Sequence, residues 1–445
     1  MASGRTGGPG AARGGAAKGG DAGGGGGRIT LRRFLKALGP GLITGAADDD
    51  PSGIGTYSVA GAALGLAMLW TALLTLPLMV VVQYTCAKIG MVSGRGLAGV
   101  LRQNYPRWLL YFCVAGLVVA NTINAGANVG AVAAAVNLLA PVPVAALVVP
   151  VALGLVALQV WGSYRLIERV FKWLSLSLFA YVAAAFLSRP HWGEVLRTTF
   201  LPPVSASGEY LTTLVAILGT TISPYLFFWQ ASEEVEEEVS QGRTTVRARR
   251  GATDAELRWA KLDTLVGMIF CHLVFYFVVL AAATTLHAAG KTDVGSATDA
   301  AKALEPLAGP AAKYLFAAGI IGAGVLAIPV LTGASAYAVA ETFGWRSGLD
   351  EKPGRAKQFY AVIAASTLLG TLINFVGVNP IKALYWTAVI NGVIAPPLLV
   401  VLLLVANNPK VMGRRTNGRF ANAVGWFTAA LMTAAAVGMF LTWGS

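Results

Sequence analysis

The chain has 445 residues, of which 56% are hydrophobic and only 12% charged, with a formal net charge of +13 and a mean hydropathy of +0.64. Soluble domains carry about a quarter of their residues as charges, so this composition excludes an ordinary soluble enzyme and points to a polytopic membrane protein. In a soluble chain the excess of positive charge would suggest nucleic acid; here its placement on loops matters instead, and no nucleic-acid partner is expected.

Residues 1–28 are rich in Gly and Ala with scattered Arg and Lys, and they lack the apolar core of a signal peptide. They read as a disordered cytoplasmic tail. About eleven apolar stretches long enough to span follow, near 36–64, 66–88, 108–136, 142–162, 170–188, 209–235, 260–286, 312–340, 357–377, 380–406 and 420–443. The expected fold is an all-α polytopic membrane protein in which residues 29–445 form one transmembrane domain. Of the 34 Lys and Arg residues, all but Arg189, Arg197, Lys291, Lys302, Lys313 and Lys382 fall on the tail and on alternate loops. The positive-inside rule then puts the N-terminus in the cytoplasm and the C-terminus outside. Cys86, Cys113 and Cys271 lie in or beside apolar segments without metal-ligand spacing, and read as packing residues with no disulfide.

The first stretch holds Gly45-Ala46-Ala47-Asp48-Asp49-Asp50-Pro51-Ser52-Gly53 inside an otherwise uncharged run. A charge at the bilayer centre costs about 2.5–3.5 kcal/mol on insertion scales, so three adjacent carboxylates need water, cations or protons around them. Pro51 withholds a backbone donor and clashes with the preceding turn, while Ser52 and Gly53 tolerate non-helical angles. A helix broken there is acceptable only if its freed carbonyls face protein or a wet cavity, which predicts a cation site at a discontinuous helix. A re-entrant loop, or a loop outside the membrane, is the alternative; apolar sequence of helix length on both sides favours the break.

The sixth stretch carries a second interruption, Gly219-Thr220-Thr221-Ile222-Ser223-Pro224-Tyr225. Two Pro-broken helices five spans apart point to an inverted repeat of five plus five helices of the LeuT type, with helices 1 and 6 discontinuous. The repeats would cover about 36–188 and 209–406, with an extra helix at about 420–443. Ser223-Pro224 would then answer Asp50-Pro51 across a pseudo-two-fold axis.

These residues resemble the NRAMP family of divalent-metal transporters over roughly 34–440. Gly39-Pro40-Gly41 followed by Asp50-Pro51 is similar to that family's first-helix signature, in which Asp-Pro-Gly-Asn forms the break. The run from Gly90 to Pro106 resembles its connection between helices two and three, and Tyr164-Arg165 through Glu168 the start of its fifth helix. Two departures stand out. Gly53 occupies the place of the liganding Asn, and the sixth-helix Met-Pro-His reads Ser223-Pro224-Tyr225, with a second His replaced by Gln230. The stretch from Ile222 to Ser232 resembles the branch of NRAMP-related magnesium transporters.

The resemblance implies a metal site at Asp50, Ala47, Gly53, Thr220, Ser223 and Tyr225. Sulfur favours transition metals, whereas carboxylate, carbonyl and water suit Mg²⁺, Ca²⁺ and Mn²⁺, and no methionine lies near either break. Small side chains at Gly53 and Ser223 leave room for an ion that keeps several waters, as Mg²⁺ does. Asp48, Asp49, Asn124, Asn128, Trp229, Gln230 and Asn391 are candidates for the cavity wall. Asn121, Asn124 and Asn128 share one helix face, either as cavity lining or as interhelical hydrogen bonds. Glu233 to Glu238 would either draw cations toward the cytoplasm or form a solvated acidic loop balanced by Arg243 to Arg250. His272 stands alone and reads as packing.

The expected function is uptake of partly hydrated Mg²⁺, and also Mn²⁺, without proton coupling, since the sixth-helix histidines and third-helix acids are missing. A proton-coupled Mn²⁺/Fe²⁺ importer is the alternative. An intramembrane aspartyl protease would need a second facing carboxylate, and an amino-acid transporter would not put three aspartates where its substrate carboxylate binds. No enzymatic activity and no resident cofactor are expected; the partners are divalent ions and the lipid bilayer, and the chain is expected to be a monomer.

Overall fold

The computed structural model describes residues 39–162, 176–349 and 351–443. The expected tail at 1–28 and the segment from Tyr164 to Glu168 lie outside them. The described residues form helices and connections without a strand. The first span is two helices, α1 (Pro40–Asp48) and α2 (Pro51–Leu64), followed by α3 (Leu69–Ser93), the short α4 (Leu97–Asn104), α5 (Arg107–Leu139) and α6 (Val144–Trp161). Next come α7 (Ala180–Leu187), the short α8 (Trp192–Phe200), and the second divided span, α9 (Gly208–Thr221) with α10 (Pro224–Ser240). The chain ends with α11 (Asp254–Ala282), α12 (Ala312–Phe343), α13 (Lys357–Thr371), α14 (Pro380–Ala406) and α15 (Arg419–Leu441).

Among the described residues nine helical stretches are long and apolar enough to cross a membrane, one of which runs α2 and α3 together, and an apolar helix over Ser177–Leu187 is shorter. Separating α2 from α3 gives ten of the eleven spans expected, and the short helix falls within the remaining one, 170–188, whose residues before 176 lie outside the described ones. The sequence reading missed α4 and α8, two short helices lying in the connections.

Both divided spans break in the same way. Asp49 (φ −80°, ψ 46°) and Asp50 (φ −70°, ψ 166°) separate α1 from α2. Ile222 (φ −106°, ψ 56°) and Ser223 (φ −74°, ψ 134°) separate α9 from α10. In each case one residue leaves the helix, the next is extended, and a proline starts the second half, where its missing N–H is not needed. This paired geometry is the inverted repeat expected from the sequence.

Close backbone approach sets how the halves seat. A Cβ on Gly45 of α1 would fall on the backbone of Gly267 of α11, and one on Gly219 of α9 would fall on Ala388 and Gly392 of α14. Small residues of this kind let membrane helices touch backbone to backbone. The start of α1 has no side-chain cap of its own. Instead the buried Asp263 of α11 accepts from Gly39 N at 3.0 Å and Gly41 N at 2.7 Å, and Glu341 of α12 does the same for α4, accepting from Gly96 N at 2.8 Å and Gly99 N at 2.9 Å. Each carboxylate satisfies N–H groups that a helix start leaves over.

The connections rich in Arg and Lys come together on one face. Arg249 Nε donates to Gly94 O at 3.3 Å, Arg102 to Glu341 O at 3.3 Å, and Arg415 pairs with Asp254. Asn379 with Gly295 and Ser188 with Thr284 join the connections at the other helix ends. Cys86, Cys113 and Cys271 are buried and free, as expected for packing residues. His272 is buried too, with Nδ1 at 2.9 Å from Met268 O and Nε2 at 3.1 Å from Thr75 Oγ1.

Candidate metal site

The two breaks meet. Tyr225 OH, from the second residue of α10, donates to Ala47 O near the end of α1 at 3.0 Å, and Ser52 Oγ lies 3.5 Å from Thr220 Oγ1. Asp48, Asp49, Asp50, Thr220, Ser223 and Tyr225 are all buried here. A carboxylate run at this depth survives only if something neutralises it.

Asp50 is the N-cap of α2. Its Oδ1 accepts from Gly53 N at 2.7 Å and from Ser52 Oγ at 2.7 Å, while its Oδ2 accepts from Asn128 Nδ2 at 3.0 Å. Oδ1 is thus saturated, and Oδ2 keeps the free lone pair. Ser223 holds the matching position but points the other way: its Oγ donates to Gly219 O at 2.7 Å and Thr220 O at 2.8 Å. So one break caps the helix that follows and the other caps the helix that precedes. A Cβ at Gly53 would stand 3.2 Å from Asp48 O and 3.5 Å from Asp50 Oδ1, so this glycine lies against the carboxylate.

Asp49 is 1% exposed, yet neither of its carboxylate oxygens has a hydrogen-bond partner, and Asp48 Oδ1 has none either. Asp48 shares its surroundings with the Cys271 thiol, which donates to Met268 O at 3.2 Å. The polar face of α5 divides along its length. Asn121 donates to Leu331 O and Ser335 Oγ, both at 3.0 Å, and so ties α5 to α12. Asn128 reaches Asp50, and Asn124 Oδ1 lies 3.5 Å from Asn128 Nδ2 and accepts from Thr387 Oγ1 at 3.2 Å.

The remaining candidates are dispersed. Trp229 packs on Gly333 and, edge-on, on Tyr337 of α12 at 6.2 Å. Gln230 donates to Glu234 Oε1 at 3.0 Å, one turn further along α10. Asn391 is buried with its Nδ2 unpartnered. Ser52 and Thr387 were missed by sequence reasoning. Ser52 was legible as the residue inside the break motif, whereas nothing in the sequence marks Thr387.

Within the two breaks, residues 47–53 and 219–225, the groups able to ligate a cation are carboxylate, carbonyl and hydroxyl oxygens, with neither sulfur nor imidazole. Such a set can hold a hard cation that retains part of its water shell.

The Nramp profile, described as natural resistance-associated macrophage protein-like, matches residues 41–442. A protein of Deinococcus radiodurans named divalent metal cation transporter MntH is 29% identical over 413 residues, covering 91% of this chain and 89% of that one. A crystal structure of the Eremococcus coleocola manganese transporter superposes with a TM-score of 0.73 at 19% identity, over 92% of this chain and 87% of the other. The inward-facing structure of Mhp1 superposes with a TM-score of 0.53 at 12% identity, over 91% and 90%. The shared fold and the family match over nearly the whole chain establish that the protein belongs to the Nramp family.

Proposed function

We propose that this protein carries divalent metal cations across a bacterial inner membrane, with partly hydrated Mg²⁺ as its main cargo and Mn²⁺ as a second. The basic face lies in the cytoplasm by the positive-inside rule. The observation that carries the reading is the all-oxygen donor set around Asp50 Oδ2, with Ser223 and Gly53 at the positions where the family's usual ligands bear sulfur and amide. Mg²⁺ gives up its waters reluctantly and is bound through few protein oxygens. The names of the relatives support divalent-metal transport in general.

Transport is not coupled to protons in this reading. A coupled proton needs a chain of titratable neighbours, and the α5 groups beside Asp50 are the amides Asn124 and Asn128. The inward driving force is the ion's own gradient plus the membrane potential, about 2.3 kcal/mol per charge per 100 mV. The test is a proteoliposome loaded with a pH dye and a Mg²⁺ dye, with Mg²⁺, Mn²⁺ or Ca²⁺ added outside. Mg²⁺ uptake without acidification of the lumen is expected. Acidification in proportion to metal uptake, lost in Asp50→Ala, would instead identify the second reading, a proton-coupled Mn²⁺ importer. The unpartnered oxygens of Asp49 are what favour that reading.

A further inference from the structure

α10 carries more than the second break. From Ser223 it runs toward the basic face, and residues three and four apart share one side. Along that side lie Gln230 and Glu234, about 10 Å and 16 Å from the break at 1.5 Å per residue. The acidic run they lead into is not a solvated loop: Glu233, Glu234 and Glu238 are buried within the helix. Gln230 is 0% exposed and Glu234 6%. Gln230 Nε2 donates to Glu234 Oε1, yet Gln230 Oε1, on the same amide, is enclosed and has no partner.

Among the described residues Glu234 has no counter-charge paired with it. The charged groups acting on it most strongly are the carboxylates of Asp263, Glu237 and Glu238. Asp263 is committed to the start of α1 through Gly39 and Gly41, and Glu238 is paired with Arg243 at 3.2 Å. No Lys or Arg among the described residues forms an ion pair with Glu234. Burying a carboxylate beside other carboxylates costs several kcal/mol unless a cation or a proton joins it.

We propose that Glu234 and Gln230 form a second cation site, for a hard divalent ion, between Asp50 and the basic face. The proposal rests on the reading that the chain carries divalent metal ions. Glu234 supplies the carboxylate, Gln230 turns its amide so that Oε1 faces the ion, and water fills the other positions. Such a ligand set is weaker than the Asp50 site, which suits a place that an ion leaves again. Conduction through a membrane path needs binding that is favourable enough to enter and weak enough to leave, spread over successive sites.

Purified protein in detergent tests this with Mn²⁺ and Mg²⁺ as probes, by titration calorimetry and by the Mn²⁺ paramagnetic resonance signal. Asp50→Ala is expected to lose the tighter site and keep one that is at least tenfold weaker. Asp50→Ala combined with Glu234→Gln is expected to lose that residual site as well. Glu234→Gln alone is expected to leave the tighter dissociation constant within about twofold and lower maximal flux several-fold, with partial recovery in Glu234→Asp. Glu→Gln removes a buried charge and keeps the side-chain volume, and gel filtration confirms the fold. Residual binding unchanged in the double variant, or no ion bound by Asp50→Ala while wild type binds one, would overturn the second site alone. Wild type that binds no divalent ion would overturn the transport reading with it. A Glu234→Gln variant with residual binding intact and only the pH profile of uptake moved would make Glu234 a proton carrier, and also overturns the site.

Discussion

Asn128 of α5 donates to Asp50 Oδ2 at 3.0 Å, on the oxygen that the break itself leaves unbonded. The third span therefore aims the carboxylate that the first span supplies. Groups that orient a metal-binding carboxylate typically contribute about 10–100-fold to affinity. Asn128→Ala is expected to weaken Mg²⁺ and Mn²⁺ binding by about tenfold in a calorimetric titration. Unchanged affinity would mean that Ser52 and Gly53 hold Asp50 in place unaided.

Asp50→Ala is expected to abolish metal flux while the protein stays folded. It removes the carboxylate that Ser52, Gly53 and Asn128 orient and also the cap of α2, a loss of about 1 kcal/mol in stability. Flux in liposomes and melting in detergent separate the two effects. Normal Mg²⁺ uptake by a well-expressed variant would remove Asp50 from the site.

Asp48→Asn and Asp49→Asn are expected to be milder, because these carboxylates contribute charge rather than oriented oxygens. Asp49 adds a sharper expectation. Its buried oxygens have no partner, so neutralising them relieves a cost and the melting temperature of Asp49→Asn should equal or exceed that of wild type. A loss of several degrees together with complete loss of flux would place Asp49 among the ion's ligands.

Ser223→Met combined with Gly53→Asn is expected to shift preference from Mg²⁺ toward Mn²⁺ and Cd²⁺, since thioether sulfur favours softer ions. Wild type should show little advantage for Cd²⁺. The Asn fits if Asp48 O, 3.2 Å from the added Cβ, gives by a few tenths of an ångström. Competition of Cd²⁺ against Mg²⁺ in the flux assay is the measurement. Hundredfold tighter Cd²⁺ binding by wild type would contradict the all-oxygen site.

Gly45→Ala is expected to destabilise the fold, because its Cβ meets the backbone of Gly267 and not a side chain that can move. Overpacking of this kind costs about 1–3 kcal/mol. Gly154→Ala in α6 is the control, with nothing within 4 Å of the added carbon. It should hold or raise the melting temperature, since alanine is favoured over glycine in helices by about 1 kcal/mol.

The breaks were legible because Pro51 and Pro224 each follow a polar residue in an apolar run, and their spacing implied the repeat. Asp50 was legible for the same reason, as a charge that the bilayer penalises. The division of the α5 amides was not. Asn121, Asn124 and Asn128 lie on one face in sequence, but only packing decides that Asn121 faces α12 and Asn128 faces Asp50. The roles of Asp263 and Glu341 were not legible either; their partners lie more than 200 residues away in sequence, at helix starts whose unbonded N–H groups no local pattern reveals. Tyr225 stood out as a candidate ligand, and the structure shows its hydroxyl on the Ala47 carbonyl, a bond between two half-helices that sequence order does not suggest.

The clamp from Asp263 onto Gly39 and Gly41, with Gly45 seated against Gly267, makes α1 a passenger of α11 rather than a continuation of α2. The two residues Asp49 and Asp50 are then a joint, and α1 is a lever about 12 Å long. A relative rotation of about ten degrees about that joint moves the far end of α1, at Pro40, by about 2 Å, but Ala47, about 3 Å from the joint, by only about 0.5 Å. A small lean of α11 therefore swings the start of α1 while the Ala47 carbonyl stays close to the break.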